Sequence, residues 1–193
     1  MIRINITKDH LIKQKSWSEF KGNQRTFRRT GGNILVGDLA EIIFQEMYPD
    51  AKRISDADYE ADFVWHGERI DVKAKQRNCR SQPHYSCSVE RRQRNLNCDW
   101  YAFFSLNQPC NEIEFLGWRD KVSFFKIAET WNVGDTDKQN NWKSSSNSAS
   151  ITVSKLWTEE QRESIIERAA IMEFDSGVPR IKAMEMAIEC NQE

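Results

Sequence analysis

The amino-acid sequence predicts an α/β protein, more closely an α+β mixed sheet covered by helices, with a helical tail after it. Three observations support this prediction. The chain has 193 residues, of which 39% are hydrophobic and 11% aromatic, enough to pack one core without disulfides or structural metals. Helical and alternating patterns follow one another in the order helix, hairpin, strands, helix and strand. The last part of the chain carries helical patterns alone.

The first predicted element is a helix over 34–48. Asn33 is suited to cap its first turn, and Pro49 ends it. Between these two residues, apolar side chains recur at the spacing that places them on one helix face. The residues of this face are Ile34, Leu35, Leu39, Ile42, Ile43 and Met47.

A β-hairpin is predicted next, with strands over 61–65 and 68–75 and a turn at His66-Gly67. Side chains alternate across a strand, so each strand of the hairpin divides its residues between two faces. One face carries Ala61, Phe63, Trp65, Ile70, Val72 and Ala74. This apolar face should pack against the core.

The other face of the hairpin carries Asp62, Asp71 and Lys73. A turn at 66–67 pairs Asp62 with Asp71, and a turn at 67–68 pairs Asp62 with Lys73; both keep the three residues together. Two carboxylates facing each other within about 5.5 Å repel, so a proton, the Lys73 cation or a divalent metal ion must compensate. The alternative is a salt-bridge cluster on a solvent-facing sheet.

Beyond the hairpin, the patterns predict strands over 101–106 and 113–118, a helix over 121–130 and a short strand over 151–153. Residues 134–150 are rich in Asn, Ser, Asp and Gly, a composition typical of a loop.

The tail, residues 155–193, is predicted to form a helical hairpin. Thr158 and Gln161 make a capping box, and Pro179 suits the first turn of the second helix. Two short helices cannot bury a core alone, so their apolar residues need a partner surface. That partner is the body of the same chain, another protein, or a second copy in a homodimer.

Charge is distributed unevenly along the chain. Residues 1–30 and residues 69–94 each hold eight basic and two acidic residues, a net charge of +6, whereas residues 155–193 have a net charge of −4. This asymmetry predicts a polyanion contact on one part of the molecule, although solvated surface explains it equally well.

The remaining composition indicates an intracellular protein without a membrane segment, and we expect a cytoplasmic location, the host cytoplasm if the protein is viral. The longest apolar stretches are far shorter than the ~20 residues that span a bilayer, and the first residues do not form a signal-peptide core. The five cysteines are expected to be free thiols. A zinc site is the alternative for Cys79, His84, Cys87 and Cys98.

The hairpin residues resemble the motif of the PD-(D/E)xK nuclease superfamily. The motif reads Asp62…Asp71-Val72-Lys73, and the predicted helix before it contains Glu41. Ala61 stands where the family has proline. Segments downstream are similar to small bacteriophage-type proteins, and the resemblance covers roughly residues 30–155. It implies a restriction-endonuclease-like α-β-β-β-α-β core within residues 1–154.

The resemblance also implies an activity, that of a metal-dependent DNA nuclease that hydrolyses phosphodiester bonds. Glu41, Asp62, Asp71 and the main-chain carbonyl of Val72 would bind Mg²⁺, for which Mn²⁺ could substitute. Lys73 would orient or activate the attacking water. Phosphate contacts would come from Lys75, Arg77, Arg80, Arg91 and Arg92.

Other outcomes remain open from the sequence. A DNA-binding or junction-recognising module with this fold and little turnover is the alternative function. Endonuclease, exonuclease and junction resolvase activities share the same motif, so the sequence does not choose among them.

Overall fold

The computed structural model describes residues 1–20, 36–54, 61–130 and 148–190, apart from the side chains of 17–20, 91–92 and 129–130. The chain divides into two compact units, Met1–Leu156 and Trp157–Glu193. The sequence places the boundary after residue 154.

The first unit contains three α-helices and nine strands among its described residues, and the strands form two sheets. Its elements are β1 Ile2–Asn5, α1 Lys8–Phe20, α2 Val36–Met47, β2 Lys52–Arg53, β3 Phe63–Trp65, β4 Glu68–Arg77, β5 Ser86–Glu90, β6 Trp100–Asn107, β7 Glu112–Asp120, α3 Lys121–Ile127, β8 Glu129–Thr130 and β9 Ser148–Thr152. The larger sheet has the order β1-β7-β6-β4-β3-β2, and the smaller one has the order β5-β9-β8. In the larger sheet β4 and β6 run parallel and the other neighbours antiparallel. This architecture confirms the predicted mixed α/β class.

The β3–β4 hairpin has a two-residue turn at His66 and Gly67. Both residues have positive φ angles, 51° and 81°, as a type I′ turn requires. Phe63 pairs with Ile70 and Trp65 with Glu68, which is the first of the two predicted registers. The same register, continued by one residue, sets Asp62 opposite Asp71.

Helix α2 covers the apolar face of this hairpin. The ring centre of Phe44 lies 4.8 Å from that of Phe63 and 5.8 Å from that of Trp118. Glu68 also lies on this face and is buried, and its Oε2 accepts a 2.7 Å hydrogen bond from the indole Nε1 of Trp100. The apolar pattern therefore orients the hairpin toward α2, and the Glu68 carboxylate on the same face is hydrogen-bonded.

A second core packs on the opposite face of the sheet. Tyr101 and Phe103 of β6 contact the ring of Phe124 in α3, at centre distances of 5.4 Å and 5.8 Å. The cluster extends to Val89 and Ile151 of the smaller sheet. Both faces of the central strands are therefore covered, which explains why every residue of β6 is buried.

The connection between β4 and β6 differs from the α-helix that the resemblance implies at this point. Residues 78–99, all of which the structure describes, contain β5 and a 3₁₀ helix over Arg91–Asn95 but no α-helix. Ser86–Glu90 is instead an extended strand that pairs with β9, and its residues alternate between half-buried and buried.

Other boundaries also differ from the sequence predictions. β1 and α1 were not predicted; β1 pairs with β7 along the edge of the larger sheet. Helix α3 ends at Ile127 rather than at 130, because the next residues form β8. β9 begins at Ser148, inside the predicted loop, of which residues 134–147 lie outside the described part.

The second unit contains α4 Glu159–Ser176 and α5 Arg180–Cys190. The predicted capping box is confirmed: Thr158 accepts a hydrogen bond from the backbone N–H of Gln161, whose side chain accepts one from the backbone N–H of Thr158. Gly177 ends α4 in the left-handed conformation. Phe174 is 91% exposed. In both units, the described helices are too short or too polar to cross a membrane.

We predict that Thr158→Ala lowers the free energy of unfolding by about 1 kcal/mol, because the first turn of α4 loses its cap. The measurement is the urea midpoint followed by far-UV circular dichroism. Ser164→Ala, in the middle of the same helix, is the control and should not lower the midpoint. An unchanged midpoint for Thr158→Ala would show that the cap contributes nothing to α4.

Candidate active site

The four residues that the sequence singles out as catalytic line one cleft of about 340 Å³. Asp62 lies just before β3, Asp71 and Lys73 lie on β4, and Glu41 enters from α2. The remaining lining residues are Gly37, Ala61, Val72, Ala74 and Gln93. Residues as far apart in sequence as Gly37 and Gln93 therefore meet at one point of the first unit.

Asp62 is held by the backbone of the neighbouring strand. Its N–H donates to the carbonyl of Ile70 at 2.9 Å, and its Oδ2 accepts from the N–H of Val72 at 2.8 Å. Strand pairing between β3 and β4 ends at Phe63. Beyond the last strand pair, the Asp62 carboxylate thus accepts the hydrogen bond of the Val72 N–H in β4. This bond fixes the carboxylate beside Asp71.

Asp71 and Lys73 form a close ion pair on one face of β4. The Nζ of Lys73 lies 2.6 Å from each carboxylate oxygen of Asp71. Asp71 is buried and Lys73 half-buried. The same ammonium lies 5.9 Å from the ring centre of Tyr101, the residue that the parallel register sets beside Asp71. These contacts restrict the position of the Lys73 ammonium.

The pKa of Asp62 is raised by its surroundings in the cleft. Burial raises the pKa of Asp62 to about 7, and the negative charge of Asp71 acts in the same direction. The Lys73 cation and the Val72 N–H lower it, but by less. Of the compensations that the sequence left open, the Lys73 cation lies on Asp71, and the raised pKa of Asp62 favours a proton on that carboxylate.

Glu41 lies on the side of α2 that faces the cleft. It is buried, and its Oε2 lies 3.6 Å from the guanidinium Nη2 of Arg53 in β2. Neighbouring Leu39, Ile42 and Ile43 are buried as well, because α2 packs against the sheet. A buried carboxylate on this helix is stabilised by its proximity to a cation.

The donor atoms of the cleft match the chemistry of a hard divalent cation. Asp62 and Asp71 supply carboxylate oxygens, and Mg²⁺ in proteins takes one or two carboxylates and completes its shell with waters and substrate phosphates. Each oxygen of Asp71 has a second lone pair, so the Lys73 ion pair leaves it able to bind further. Among the described residues, no three His, Cys, Asp or Glu side chains are close enough together to hold an ion.

The basic residues predicted to contact phosphates lie in different surroundings. Lys75 and Arg77 follow Lys73 on the same face of β4 and line a second, smaller cavity. Arg80 forms a two-pronged ion pair with Glu112, at 3.2 Å and 3.3 Å, which compensates its charge. The side chains of Arg91 and Arg92 lie outside the described part.

Sequence reasoning missed three residues near the cleft: Gln93, Arg53 and Tyr101. Gln93 belongs to the 3₁₀ helix of the crossover, where no periodicity marks it. Tyr101 could have been found only from the parallel pairing of β4 with β6, which a local pattern does not contain.

The cysteines show no zinc-like arrangement. All five thiols are free, and Cys79, His84, Cys87 and Cys98, which the structure describes, form no metal-holding group. Cys79 contacts the hydroxyl of Tyr85 at 3.1 Å. Burial raises the pKa of Cys87 to about 12 and that of Cys98 as well, so both stay protonated at neutral pH.

No protein-family model matches the chain, and no curated protein matches it.

We predict that the metal-free protein loses stability as the pH rises from about 4 to about 7. In this window the folded protein keeps a proton on Asp62 that the unfolded chain has lost, so the free energy of unfolding falls. Asp62→Asn removes this titration, and its melting temperature in EDTA should fall less over the same window. Asp175→Asn, an exposed carboxylate in α4, should behave like the wild type. Parallel curves for Asp62→Asn and the wild type would contradict the assignment.

Proposed function

We propose that this chain is a metal-dependent DNA nuclease that hydrolyses phosphodiester bonds, built on a PD-(D/E)xK core. The observation that carries the proposal is the convergence of Glu41, Asp62, Asp71 and Lys73 on one cleft. A chance match to so short a motif has no reason to bring the upstream helical glutamate to the hairpin residues.

The order of elements around the cleft supports the same proposal. Helix α2 is followed by β2, β3 and β4, with Asp62 just before the second strand and Asp71-Val72-Lys73 in the third. β6 then runs parallel beside β4. The crossover between β4 and β6, with β5 and a 3₁₀ helix, is the departure from the expected α-β-β-β-α-β order.

Asp62 and Asp71 would hold Mg²⁺ or Mn²⁺, with the carbonyl of Val72 as a further ligand. When bound there, the ion would polarise the scissile phosphate and neutralise the charge that develops on it. Asp62 must release its proton to act as a ligand, and its pKa of about 7 means that this happens near neutral pH.

Lys73 has a different role, that of a positioned cation and hydrogen-bond donor. Asp71 and the ring of Tyr101 hold its ammonium at the cleft, so the charge does not have to be ordered when the substrate arrives. From there it can donate a hydrogen bond to the attacking water or to a phosphate oxygen. Glu41, on the other side of the cleft, would orient water or support a second ion.

The cations of β4 would hold the DNA backbone. Lys75 and Arg77 continue the face that carries Lys73, and Arg91 and Arg92 follow in the crossover. Contacts of this kind position a phosphodiester chain without reading its sequence. Arg80 is the weakest candidate of the set, because Glu112 already compensates its charge.

A second candidate function is a DNA-binding or junction-recognising module with little turnover. The observation that favours it is the ion pair of Lys73 with both oxygens of Asp71, which satisfies this carboxylate without a metal. Cleavage assays separate the two candidates.

We predict that Asp71→Asn lowers metal-dependent DNA cleavage by about 100-fold or more, because the substitution removes a ligand charge at the reacting phosphate. DNA binding, measured by fluorescence anisotropy in EDTA, should survive. The assay uses linear, circular, single-stranded and branched DNA with Mg²⁺, Mn²⁺ or EDTA.

Glu163→Gln, an exposed carboxylate of α4, is the matched control and should cleave like the wild type. Full activity of Asp71→Asn would place the chemistry elsewhere. DNA binding by a wild-type protein that shows no cleavage under any of these conditions would favour the second candidate.

A further prediction tests the metal without relying on activity. Millimolar Mg²⁺ should raise the melting temperature of the wild type, since a ligand that binds only the folded state stabilises it. The double variant Asp62→Asn, Asp71→Asn should show no such rise. An equal rise in both proteins would mean that the ion binds outside the cleft.

A further inference from the structure

A second cavity of about 180 Å³ adjoins the candidate active site. Lys73 and Ala74 line both the cleft and this cavity, so the two spaces meet along β4. The other lining residues are Lys75, Arg77, Ser86, Cys87, Ser88, Phe103, Phe104 and Leu116. The cavity therefore lies between β4 and β6–β7 of the larger sheet and β5 of the smaller one.

Two cations of the cavity contact neutral partners. The Nζ of Lys75 donates to the hydroxyl of Ser86 at 3.2 Å, and Nη2 of Arg77 donates to the Ser86 carbonyl at 2.7 Å. The Nε of Arg77 is buried and has no hydrogen-bond partner among the described residues. A buried donor of this kind is costly unless an acceptor reaches it.

The two cations also act on each other. Partial burial lowers the pKa of Lys75, and the positive charge of Arg77 lowers it further. An anion placed between the Lys75 ammonium and the Arg77 guanidinium would relieve this repulsion. A phosphate oxygen also matches the geometry of the Arg77 guanidinium.

Part of the cavity wall is apolar. Phe103, which the parallel register sets beside Lys73, and Leu116 are buried there and provide an apolar surface. The volume is below the roughly 300–1,000 Å³ of pockets that hold drug-sized ligands. The cavity thus combines cations, which suit a phosphate, with an aromatic wall and a size that suits a single nucleobase.

Strands β4 and β5 border the cavity, and the Lys75–Ser86 hydrogen bond joins them. A base that is paired and stacked in a duplex cannot enter such a space unless it first leaves the helix. An unpaired strand meets no such barrier.

We infer that this cavity binds one unpaired nucleotide next to the phosphodiester in the cleft, so that the preferred substrate is a single strand or an unpaired end. The inference rests on the proposed function, since it takes the cleft to be where the phosphodiester is cleaved. Lys75 and Arg77 contact the phosphate of this nucleotide, and Phe103 and Leu116 contact its base.

The test measures binding in EDTA, where no cleavage occurs. The probes are a fluorescein-labelled single-stranded oligodeoxynucleotide, the ribonucleotide strand of the same sequence, and a blunt DNA hairpin of equal length. The variants are Lys75→Gln, which removes a phosphate contact, and Ser86→Phe, which fills the cavity without changing charge. Lys182→Gln, an exposed lysine of α5, matches the charge change of Lys75→Gln. Circular dichroism checks that each variant is folded.

We expect the wild type to bind an unpaired strand about tenfold more tightly than the blunt hairpin. Lys75→Gln should lower the slope of log affinity against log salt by about 0.7 for the single strand. Ser86→Phe should weaken single-strand binding and leave hairpin binding unchanged, and Lys182→Gln should match the wild type. Tighter binding of either unpaired strand supports the site, and the tighter one identifies the sugar.

Equal affinity for the hairpin and both strands would overturn the inference. So would an effect of Lys75→Gln and Ser86→Phe no larger than that of Lys182→Gln, or no binding of either strand. The two proposals fail separately: single-strand preference without metal-dependent cleavage overturns the nuclease proposal, and cleavage without that preference overturns the nucleotide site.

Discussion

The register of the β3–β4 hairpin is the constraint on which the rest of the first unit depends. The tight turn at His66 and Gly67 sets Phe63 opposite Ile70 and thereby directs the apolar face toward α2. A shift of one residue would send the apolar set toward solvent, so burial against α2 enforces the register. The same register places Asp62 directly opposite Asp71.

This enforced pair of carboxylates determines the electrostatics of the cleft. The Nζ of Lys73 lies 2.6 Å from the Asp71 carboxylate and compensates its negative charge. Burial raises the pKa of Asp62 to about 7. The free energy gained by burying the apolar face of the hairpin exceeds the repulsion between the two carboxylates, because a nearby cation or a proton reduces that repulsion. Hydrophobic packing thus maintains an acidic site. In the proposed nuclease, a divalent cation would exchange with that proton, so the fold would provide a site that is ready for metal but stable without it.

Strand β4 connects this acidic cleft to a basic cavity. Along one face it presents Asp71, Lys73, Lys75 and Arg77, and the sign of charge changes within about 7 Å, the distance between alternate residues of a strand. A metal-binding group and phosphate-binding groups on one rigid strand keep a constant separation. β5 closes the basic end, since Arg77 bonds to Ser86 and stacks 4.8 Å from the ring of Tyr85.

The sequence by itself determined the features that local periodicity encodes: helix α2, the hairpin with its apolar face, and the grouping of Asp62, Asp71 and Lys73. Periodicity reports which side of an element is buried, but it does not name the element that buries it. The tertiary structure alone decided that β5 pairs with β9 in place of a crossover helix, that Tyr101 lies beside Asp71, and that Arg80 is paired with Glu112. Each of these is a contact between residues distant in sequence, and its energy depends on a partner that no local pattern contains.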